Sequence, residues 1–400
     1  MKGNIFIMNE KMKQLGKSPS KIREIFEYSR GRKALLGADK VFDFSLGNPS
    51  IPAPDSINAE INALIKNTDS VLLHGYTSAQ GDLGVRTAIA KSLEKRFGVN
   101  ASPDDIYMTC GAAASLTITL KAICEAGDEV IVLAPFFPEY SVFIENAGAK
   151  KVVVDTTPPD FTIDFGELEK AINKNTAAVL INFPNNPTGA VISEAEAQEL
   201  GNLLNRKSAE FSKPIYLVSD EPYRELVYGE PAPFMPKFYD NTIVDYSFSK
   251  SLSLPGERIG YIFVPSTVTY ARDIYAAVCG AGRSMGYVCA PSLMQYAVKN
   301  CVYDTSDISA YNANRTLFYG ALCEMGYTVA KPNGAFYLFV KSPSGDGGEF
   351  CERAKKYEIL MVPSDSFGIK GFARIAYCVS KSTIENSLPA FRALMEEYRK

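Results

Sequence analysis

The sequence predicts an α/β protein whose large domain is a mostly parallel sheet of about seven strands sandwiched by helices, beside a smaller α+β domain. Three observations support this fold class. Short apolar runs alternate with longer helix-like stretches between about residues 102 and 264. Several of these runs are continuously apolar, which is typical of strands that helices cover on both faces. Finally, a chain of 400 residues with 46% apolar side chains is longer than a single hydrophobic core usually accommodates, which indicates more than one domain.

The predicted strands of the large sheet are short and apolar and are bounded by turn residues. They cover residues 106–109, 129–134, 151–155, 177–182, 215–219, 242–247 and 260–264. Downstream, strand-like segments at 334–340 and 372–378 lie among helix-like segments, which predicts the α+β domain. We expect residues 1–50 to pack with this small domain, 51–290 to form the large domain and 291–400 to complete the small one.

Composition and charge argue against several classes of protein. The net charge of −3 comes from 42 basic and 45 acidic residues without a long run of either sign, so no nucleic-acid partner is expected. No apolar stretch reaches the ~20 residues of a membrane span, and the amino terminus lacks a signal-peptide pattern. Eight cysteines form no CxxC pair and His74 is the single histidine, so no metal site is expected. We expect a soluble cytoplasmic protein with free thiols.

Four segments follow predicted strands, where the ligands of open parallel sheets bind. The first, CGAAAS at 110–115, opens a predicted helix and includes Ala112 and Ala113. Small residues at a helix amino terminus let backbone N–H groups and the helix dipole approach a phosphate. Tight helix packing would also explain this segment.

The second and third segments present side chains suited to an aromatic heterocycle. FPNNPTG at 183–189 fixes a rigid turn in which the Asn186 amide can donate to a phenolate-like oxygen. In SDEPY at 219–223, Asp220 can hold a proton on a ring nitrogen, and Tyr223 can bond an oxygen of the same ring. A structural turn and a helix cap are the alternatives for these two segments.

The fourth segment, YSFSKSLSLPGERIG at 246–260, contains Lys250 in an apolar, serine-rich turn. A strand end that faces a cleft excludes water and lowers the pKa of a lysine, which is the condition for a nucleophilic amine. Ser247 and Arg258 supply a hydroxyl and a positive charge for a phosphate.

With these segments in view, the chain resembles the class I/II aminotransferases of fold type I, the family that includes aspartate aminotransferases. The resemblance extends from DFSLGNP at 43–49 to Arg374. It implies pyridoxal 5'-phosphate (PLP) as cofactor, with Lys250 as the Schiff-base lysine and proton carrier. Asp220 would hold the proton on the pyridine nitrogen, so that the ring accepts electrons.

The resemblance also implies the remaining cofactor contacts. Asn186 and Tyr223 would bond the ring oxygen, and the backbone N–H groups of Ala112 and Ala113, with Ser247 and Arg258, would hold the phosphate. Phe137 would stack on the pyridine ring, in a place where many relatives have tryptophan or tyrosine.

The resemblance further implies the substrate contacts and the assembly. Arg374 would grip the substrate α-carboxylate, with Asn186 beside it, and Gly47 would close over the substrate. Tyr76 would reach the phosphate of a neighbouring subunit, so we expect a homodimer with shared active sites. Arg283 lies near where some relatives bind a side-chain carboxylate, but the correspondence there is loose.

Three functions remain open from the sequence. The first is an amino-acid aminotransferase that passes an α-amino group to a 2-oxo acid. The second is a PLP-dependent β-lyase that cleaves a C–S bond with the same residues. The third is a non-catalytic PLP-binding regulator, which a helix-turn-helix module would favour and the sequence does not show. The preferred amino acid and oxo acid stay undetermined.

Overall fold

A computed structural model describes residues 8–17 and 20–400. The helices of this part are α1 Glu10–Lys17, α2 Lys21–Leu36, α3 Asp55–Asn67, α4 Ser70–His74, α5 Leu83–Phe97, α6 Ala112–Ile123, α7 Tyr140–Ala147, α8 Phe165–Ala171, α9 Glu194–Phe211, α10 Phe248–Ser251, α11 Ala271–Ser284, α12 Ser292–Lys299, α13 Ile308–Glu324, α14 Gly347–Ala354 and α15 Lys381–Arg399. The strands are β1 Phe42–Asp43, β2 Ile106–Thr109, β3 Glu129–Ala134, β4 Lys150–Asp155, β5 Thr176–Ile181, β6 Tyr216–Asp220, β7 Thr242–Ser247, β8 Gly260–Phe263, β9 Val329–Ala330, β10 Tyr337–Lys341, β11 Ile359–Leu360, β12 Val362–Pro363 and β13 Phe372–Ala376.

A seven-stranded sheet with the order β2-β8-β7-β6-β5-β3-β4 forms the centre of the large domain. Strand β8 runs antiparallel to both of its neighbours, and the other neighbouring pairs are parallel. The predicted α/β class with a mostly parallel sheet is therefore confirmed. Because β2 and β7 both oppose β8, the carboxyl ends of β2, β5, β6 and β7 lie along one edge.

Helices cover both faces of this sheet, which explains the continuously apolar strands. Helices α6, α7 and α11 pack on one face, where Val132 and Leu180 are buried. On the other face, α8 and α9 cover Ile131 and Val179, while α5 and α12 cover Val244. Each strand thus buries alternate residues in opposite layers.

A second, four-stranded antiparallel sheet has the order β12-β13-β10-β9. Helices α13, α14 and α15 bury apolar side chains against it, among them Phe318, Phe350 and Phe391. Strand β1 pairs in parallel with β11, so the chain near residue 42 joins the carboxyl-terminal part. Helix α2 contributes Ile25 to a small cluster with Val362.

The contacts of α12 bear on where the two domains divide. Met294 and Val298 of α12 pack in the same cluster as Val85 and Ile89 of α5. We propose that the small domain consists of the amino-terminal segment and the chain from about residue 307 onward, with α12 belonging to the large domain. Within residues 8–17 and 20–400, no helix combines the length and the apolar character needed to cross a membrane.

Candidate active site

A cavity of about 480 Å³ opens at the carboxyl edge of the large sheet, and Arg374 and Tyr337 of the four-stranded sheet line it as well. It has the size of an ordinary cofactor or substrate site. All the predicted site residues except Tyr76 line it: Gly47, Ala112, Ala113, Phe137, Asn186, Asp220, Tyr223, Ser247, Lys250, Arg258 and Arg374.

One end of the cavity is built to hold an anion. Gly111 precedes α6 with φ of +87°, and a Cβ added there would lie 3.2 Å from Nη2 of Arg258. Ala112 and Ala113 then begin the twelve-residue helix α6, whose first N–H groups have no partner within the helix. Arg258 itself has φ of +53°, an uncommon backbone conformation for a residue with a side chain. The glycine thus leaves room for the guanidinium beside the helix terminus.

Ser247 is the N-cap residue of the short helix α10, which carries Lys250. Its Oγ accepts a hydrogen bond of 3.2 Å from the Ser249 N–H and lies 2.7 Å from Ser249 Oγ. This cap fixes the turn immediately before Lys250.

Lys250 points into the cavity and donates a hydrogen bond of 2.7 Å from Nζ to the Gly47 carbonyl oxygen. Burial, aided by the nearby positive charges of Arg374 and Arg258, lowers the pKa of its ammonium group to about 8. A fraction of the amine is therefore uncharged near neutral pH and able to act as a nucleophile.

Asp220 ends β6 as a buried carboxyl group with one oxygen left for a ligand. Its Oδ2 accepts hydrogen bonds from the Tyr140 hydroxyl and, at 3.4 Å, from Asn182 Nδ2. In the described part of the chain Oδ1 has no hydrogen-bond partner. Burial raises the pKa of Asp220 to about 7, against the opposing effect of the Tyr140 hydroxyl. A cationic N–H placed at Oδ1 would satisfy this atom and stabilise its charge.

Tyr223 and Asn186 line the wall next to Asp220. The Tyr223 hydroxyl lies 2.9 Å from that of Tyr337, and burial raises the pKa of Tyr223 well above its ordinary value. The Asn186 backbone N–H donates a hydrogen bond of 2.9 Å to Asn182 Oδ1, which fixes the turn after β5. Phe137 forms another wall, with its ring edge-on to Tyr140 at 5.7 Å between centroids.

Arg374, on β13 of the small sheet, reaches the same cavity from the opposite side. It is 2% exposed, and its guanidinium donates from Nη1 to Asn186 Oδ1 at 3.0 Å and from Nη2 to the Ser45 carbonyl oxygen. Within the described residues its Nε has no partner. No carboxylate pairs with it there, so a substrate carboxylate would be its first acidic partner.

Several residues that complete the site were not singled out from the sequence. Tyr140 and Asn182 hold Asp220, Tyr337 holds Tyr223, and the Ser45 carbonyl oxygen holds Arg374. Tyr140 lies three positions after Phe137, which the sequence analysis had assigned to the site, so its position in the chain was an available signal. Ser45 and Arg374 are far apart in the chain, so no local sequence pattern predicts their contact.

Two residues considered from the sequence lie away from this cavity: Tyr76, which is predicted to reach a neighbouring subunit's phosphate, and Arg283, whose contact with substrate was left open. Tyr76 is 93% exposed in the single chain. Arg283 is also exposed, near the end of α11. Neither can contact a ligand in this cavity within one chain, so any role for Tyr76 requires a second copy.

Comparisons with known proteins agree with this architecture. The family model described as "Aminotransferase class I and II" matches residues 39–391. A solved aminotransferase from Eubacterium rectale is 52% identical, covers 98% of this chain and 100% of its own, and has a TM-score of 0.96. An aspartate aminotransferase from Thermotoga maritima is 28% identical, with coverage of 97% and 100% and a TM-score of 0.87.

A curated relative adds a further substrate type. A probable N-acetyl-LL-diaminopimelate aminotransferase from Bacillus subtilis is 30% identical over 88% of each chain. The chain thus belongs to the class I and II aminotransferase family. It is an aminotransferase, an enzyme that transfers amino groups between amino acids and oxo acids. The family resemblance and the enzyme class predicted from the sequence are confirmed, and transamination is favoured over a β-lyase or a regulator.

Proposed function

We propose that the cavity binds PLP and that Lys250 holds it covalently for transamination from an α-amino acid to a 2-oxo acid. The observation that carries this proposal is that one cavity contains both an amine of lowered pKa, Lys250, and buried Asp220, whose Oδ1 has no hydrogen-bond partner among the described residues. The Lys250 amine can form an imine with the aldehyde of the cofactor, and the Asp220 carboxylate can hold the proton on its ring nitrogen.

The residues of the cavity fit the parts of this cofactor. The phosphate would lie at the start of α6, against the N–H groups of Ala112 and Ala113, with Arg258 as counter-charge and Ser247 as a hydroxyl partner. Tyr223 and Asn186 would bond the ring oxygen, and Phe137 would cover the ring face. When bound, PLP supplies an electron-accepting ring that stabilises negative charge at the substrate Cα.

The chain's own residues then position and deprotonate the substrate. Arg374 binds the α-carboxylate with its two forked donors, which fixes the direction of the Cα–H bond. Lys250 Nζ takes the proton from Cα and later returns it, because burial lowers its pKa to about 8, close to neutral pH. The Gly47 carbonyl oxygen holds this amine by its hydrogen bond.

We further propose a cytoplasmic homodimer with shared active sites. Between residues 65 and 76 the chain carries four exposed apolar side chains: Ile65, Val71, Leu72 and Tyr76 are 58%, 79%, 67% and 93% exposed. We take them as one apolar patch around Tyr76, because exposed apolar patches are typical of subunit interfaces. All eight cysteines are free, which suits a reducing compartment.

Absorbance spectroscopy of the purified enzyme tests the proposal. The PLP-loaded protein should absorb visible light, lose this absorbance with an amino-acid donor and regain it with a 2-oxo acid, and each step should release the matching product. A protein that releases ammonia and pyruvate from a β-substituted amino acid, without needing an acceptor, would instead be a lyase. Lys250→Ala should show none of these absorbance changes, and the matched control is Lys207→Ala, since Lys207 lies on α9 in a surface ion pair with Glu210.

A further inference from the structure

Tyr337 contacts residues of both the cofactor side and the substrate side of the cavity. It lines the cavity from β10 and is 2% exposed, yet the proposed function gives it no contact with either ligand. On the neighbouring strand β13, Ala376 lies directly opposite Tyr337, so Arg374, two residues away, faces the same side of the sheet. Tyr223, which follows β6 of the large sheet, contacts Tyr337 as well. One side chain therefore contacts a residue assigned to the cofactor and another assigned to the substrate.

The Tyr337 hydroxyl forms a hydrogen bond whose direction the cofactor would fix. Its oxygen lies 2.9 Å from that of Tyr223, and in the described part of the chain this is the one hydrogen bond that it makes. Burial raises the pKa of Tyr337 to about 12 and that of Tyr223 well above its ordinary value, so each hydroxyl keeps its single proton at neutral pH. When Tyr223 donates its proton to a ring oxygen, its own oxygen can only accept the proton of Tyr337.

Gly47 leaves the space in which this hydroxyl lies. A Cβ added at Gly47 would collide with the Tyr337 hydroxyl oxygen and would lie 3.1 Å from Cε2 of Phe336. The backbone of Gly47 does not adopt a positive φ, so its angles do not require glycine. The missing side chain at this position therefore accommodates Tyr337.

The Tyr337 ring makes a second contact, which does not involve the hydroxyl. Cζ of Arg374 lies 4.7 Å from the centroid of the Tyr337 ring and 5.1 Å from that of Phe367. A guanidinium is attracted to the face of an aromatic ring, and two rings together restrict where its forked donors can point. The two contacts of Tyr337 can therefore be removed one at a time.

We propose that Tyr337 is a positioning residue with two separate tasks. Its hydroxyl donates a hydrogen bond to Tyr223 and so directs the Tyr223 proton toward the cofactor ring oxygen. Its ring holds the Arg374 guanidinium in the orientation that binds the substrate α-carboxylate. This inference rests on the proposed function, because that function assigns Tyr223 to the cofactor and Arg374 to the substrate.

Tyr337→Phe removes the hydroxyl and keeps the ring. Fluorescence titration of the cofactor-free chain should give a PLP dissociation constant about threefold to tenfold higher than that of the unaltered protein, which corresponds to one lost hydrogen bond. The KM of an amino-acid donor, measured with saturating PLP, should stay unchanged, because the ring remains beside Arg374.

Tyr337→Leu removes both contacts. The PLP dissociation constant should rise as it does in Tyr337→Phe, and the KM of each amino-acid donor should now rise about threefold or more, because the guanidinium loses one aromatic face. Donors with different side chains should show similar increases in KM, since Arg374 would bind the carboxylate that they share. A residue that only supported the fold would change both constants in both variants.

A double-mutant cycle shows whether the hydroxyl acts through Tyr223. Tyr223→Phe removes the hydroxyl that would bond the cofactor, so the addition of Tyr337→Phe should raise the PLP dissociation constant no further. Additive effects of the two substitutions would show that the hydroxyls act independently and would overturn the inference.

Tyr327→Phe is the matched control. Tyr327 is 4% exposed, packs in the same apolar cluster as Tyr337 and donates a hydrogen bond of 2.8 Å to the Phe391 carbonyl oxygen, outside the cavity. Its loss of a buried hydroxyl should lower the free energy of unfolding about as much as Tyr337→Phe does, with an unchanged PLP dissociation constant. Denaturant unfolding and the same titration measure the two quantities.

Three further results would overturn the inference: an unchanged PLP dissociation constant in Tyr337→Phe, an equal increase of this constant in Tyr327→Phe, or a KM that rises as much in Tyr337→Phe as in Tyr337→Leu. The unaltered enzyme separates this inference from the proposed function. If it loses its visible absorbance with a donor and regains it with an oxo acid, the proposed function holds, and these results count only against the tasks of Tyr337.

Discussion

Arg374 is the buried side chain that we propose binds the substrate α-carboxylate. Its guanidinium is held by Asn186 and by the Ser45 carbonyl oxygen, and in the described structure it has no acidic partner. A substrate carboxylate therefore completes an arrangement whose orientation is already fixed.

Replacing Arg374 by lysine should raise the KM of every amino-acid donor. Lysine keeps the charge but loses the planar fork, and the loss of such a charge-assisted bond corresponds to about 10–100-fold in affinity. Steady-state kinetics with several donors check this. An unchanged KM for all donors would show that the α-carboxylate binds elsewhere.

The lowered pKa of Lys250 predicts a pH dependence for cofactor loading. Only the uncharged amine attacks an aldehyde, so the loading rate of the cofactor-free enzyme should rise about tenfold per pH unit below a pKa of about 8 and level off above it. Rapid mixing with PLP over a pH series measures this rate. A rise that continues toward 10.5, the ordinary lysine value, would contradict the effect of burial.

At the residue scale, the sequence predicted the residues that would carry the chemistry better than it predicted the residues that hold them in position. Lys250, Asp220 and Arg374 lie in motifs whose residue types suit their tasks, and all three line one cavity. Tyr337 and Ser45 hold Tyr223 and Arg374 through contacts between segments far apart in the chain. Such contacts depend on how the two domains meet, which no local pattern encodes.

At the scale of elements, the start of α6 combines a backbone requirement with the phosphate binding that we propose for it. Gly111 has φ of +87°, and its missing side chain leaves space for Arg258. Gly127, with φ of +99°, has the same backbone requirement but nothing within 4 Å of an added Cβ. A comparison of alanine variants at the two glycines therefore distinguishes an effect of backbone strain from an effect on cofactor binding.

Gly111→Ala and Gly127→Ala should each lower the free energy of unfolding by about 1–3 kcal/mol, because alanine is strained at these angles. Gly111→Ala alone should also raise the dissociation constant of PLP, by about tenfold. Denaturant unfolding and fluorescence titration of the cofactor-free protein measure the two effects. Equal PLP affinities in the two variants would remove the start of α6 from the phosphate site.

The elements of the large sheet were predictable because their apolar runs are short and bounded by turns. The predicted strands at 129–134 and 242–247 have the observed bounds, and the strand predicted at 215–219 begins and ends one residue later. The sequence did not predict that α2 would line the cavity. Its amphipathic pattern is weak, and its position depends on Ile25 packing with Val362 of the small domain.

For the whole molecule, the central question is whether one chain suffices for activity. Leu72→Arg places a charge in the exposed patch around Tyr76 and should convert the dimer to monomers with little activity. Leu35→Arg is the matched control, since Leu35 on α2 is 71% exposed, comparable to Leu72 at 67%. Sedimentation analysis and activity assays at several protein concentrations measure both. A Leu72→Arg monomer with full activity would exclude shared active sites.

The most direct test of the whole account is chemical mapping of the lysine that holds the cofactor. Borohydride reduction of the PLP-loaded enzyme, followed by proteolysis and mass spectrometry, should locate the phosphopyridoxyl group on Lys250 alone. A Lys250→Ala variant should carry none. Attachment to another lysine, or undiminished transamination by Lys250→Ala, would contradict the proposed site.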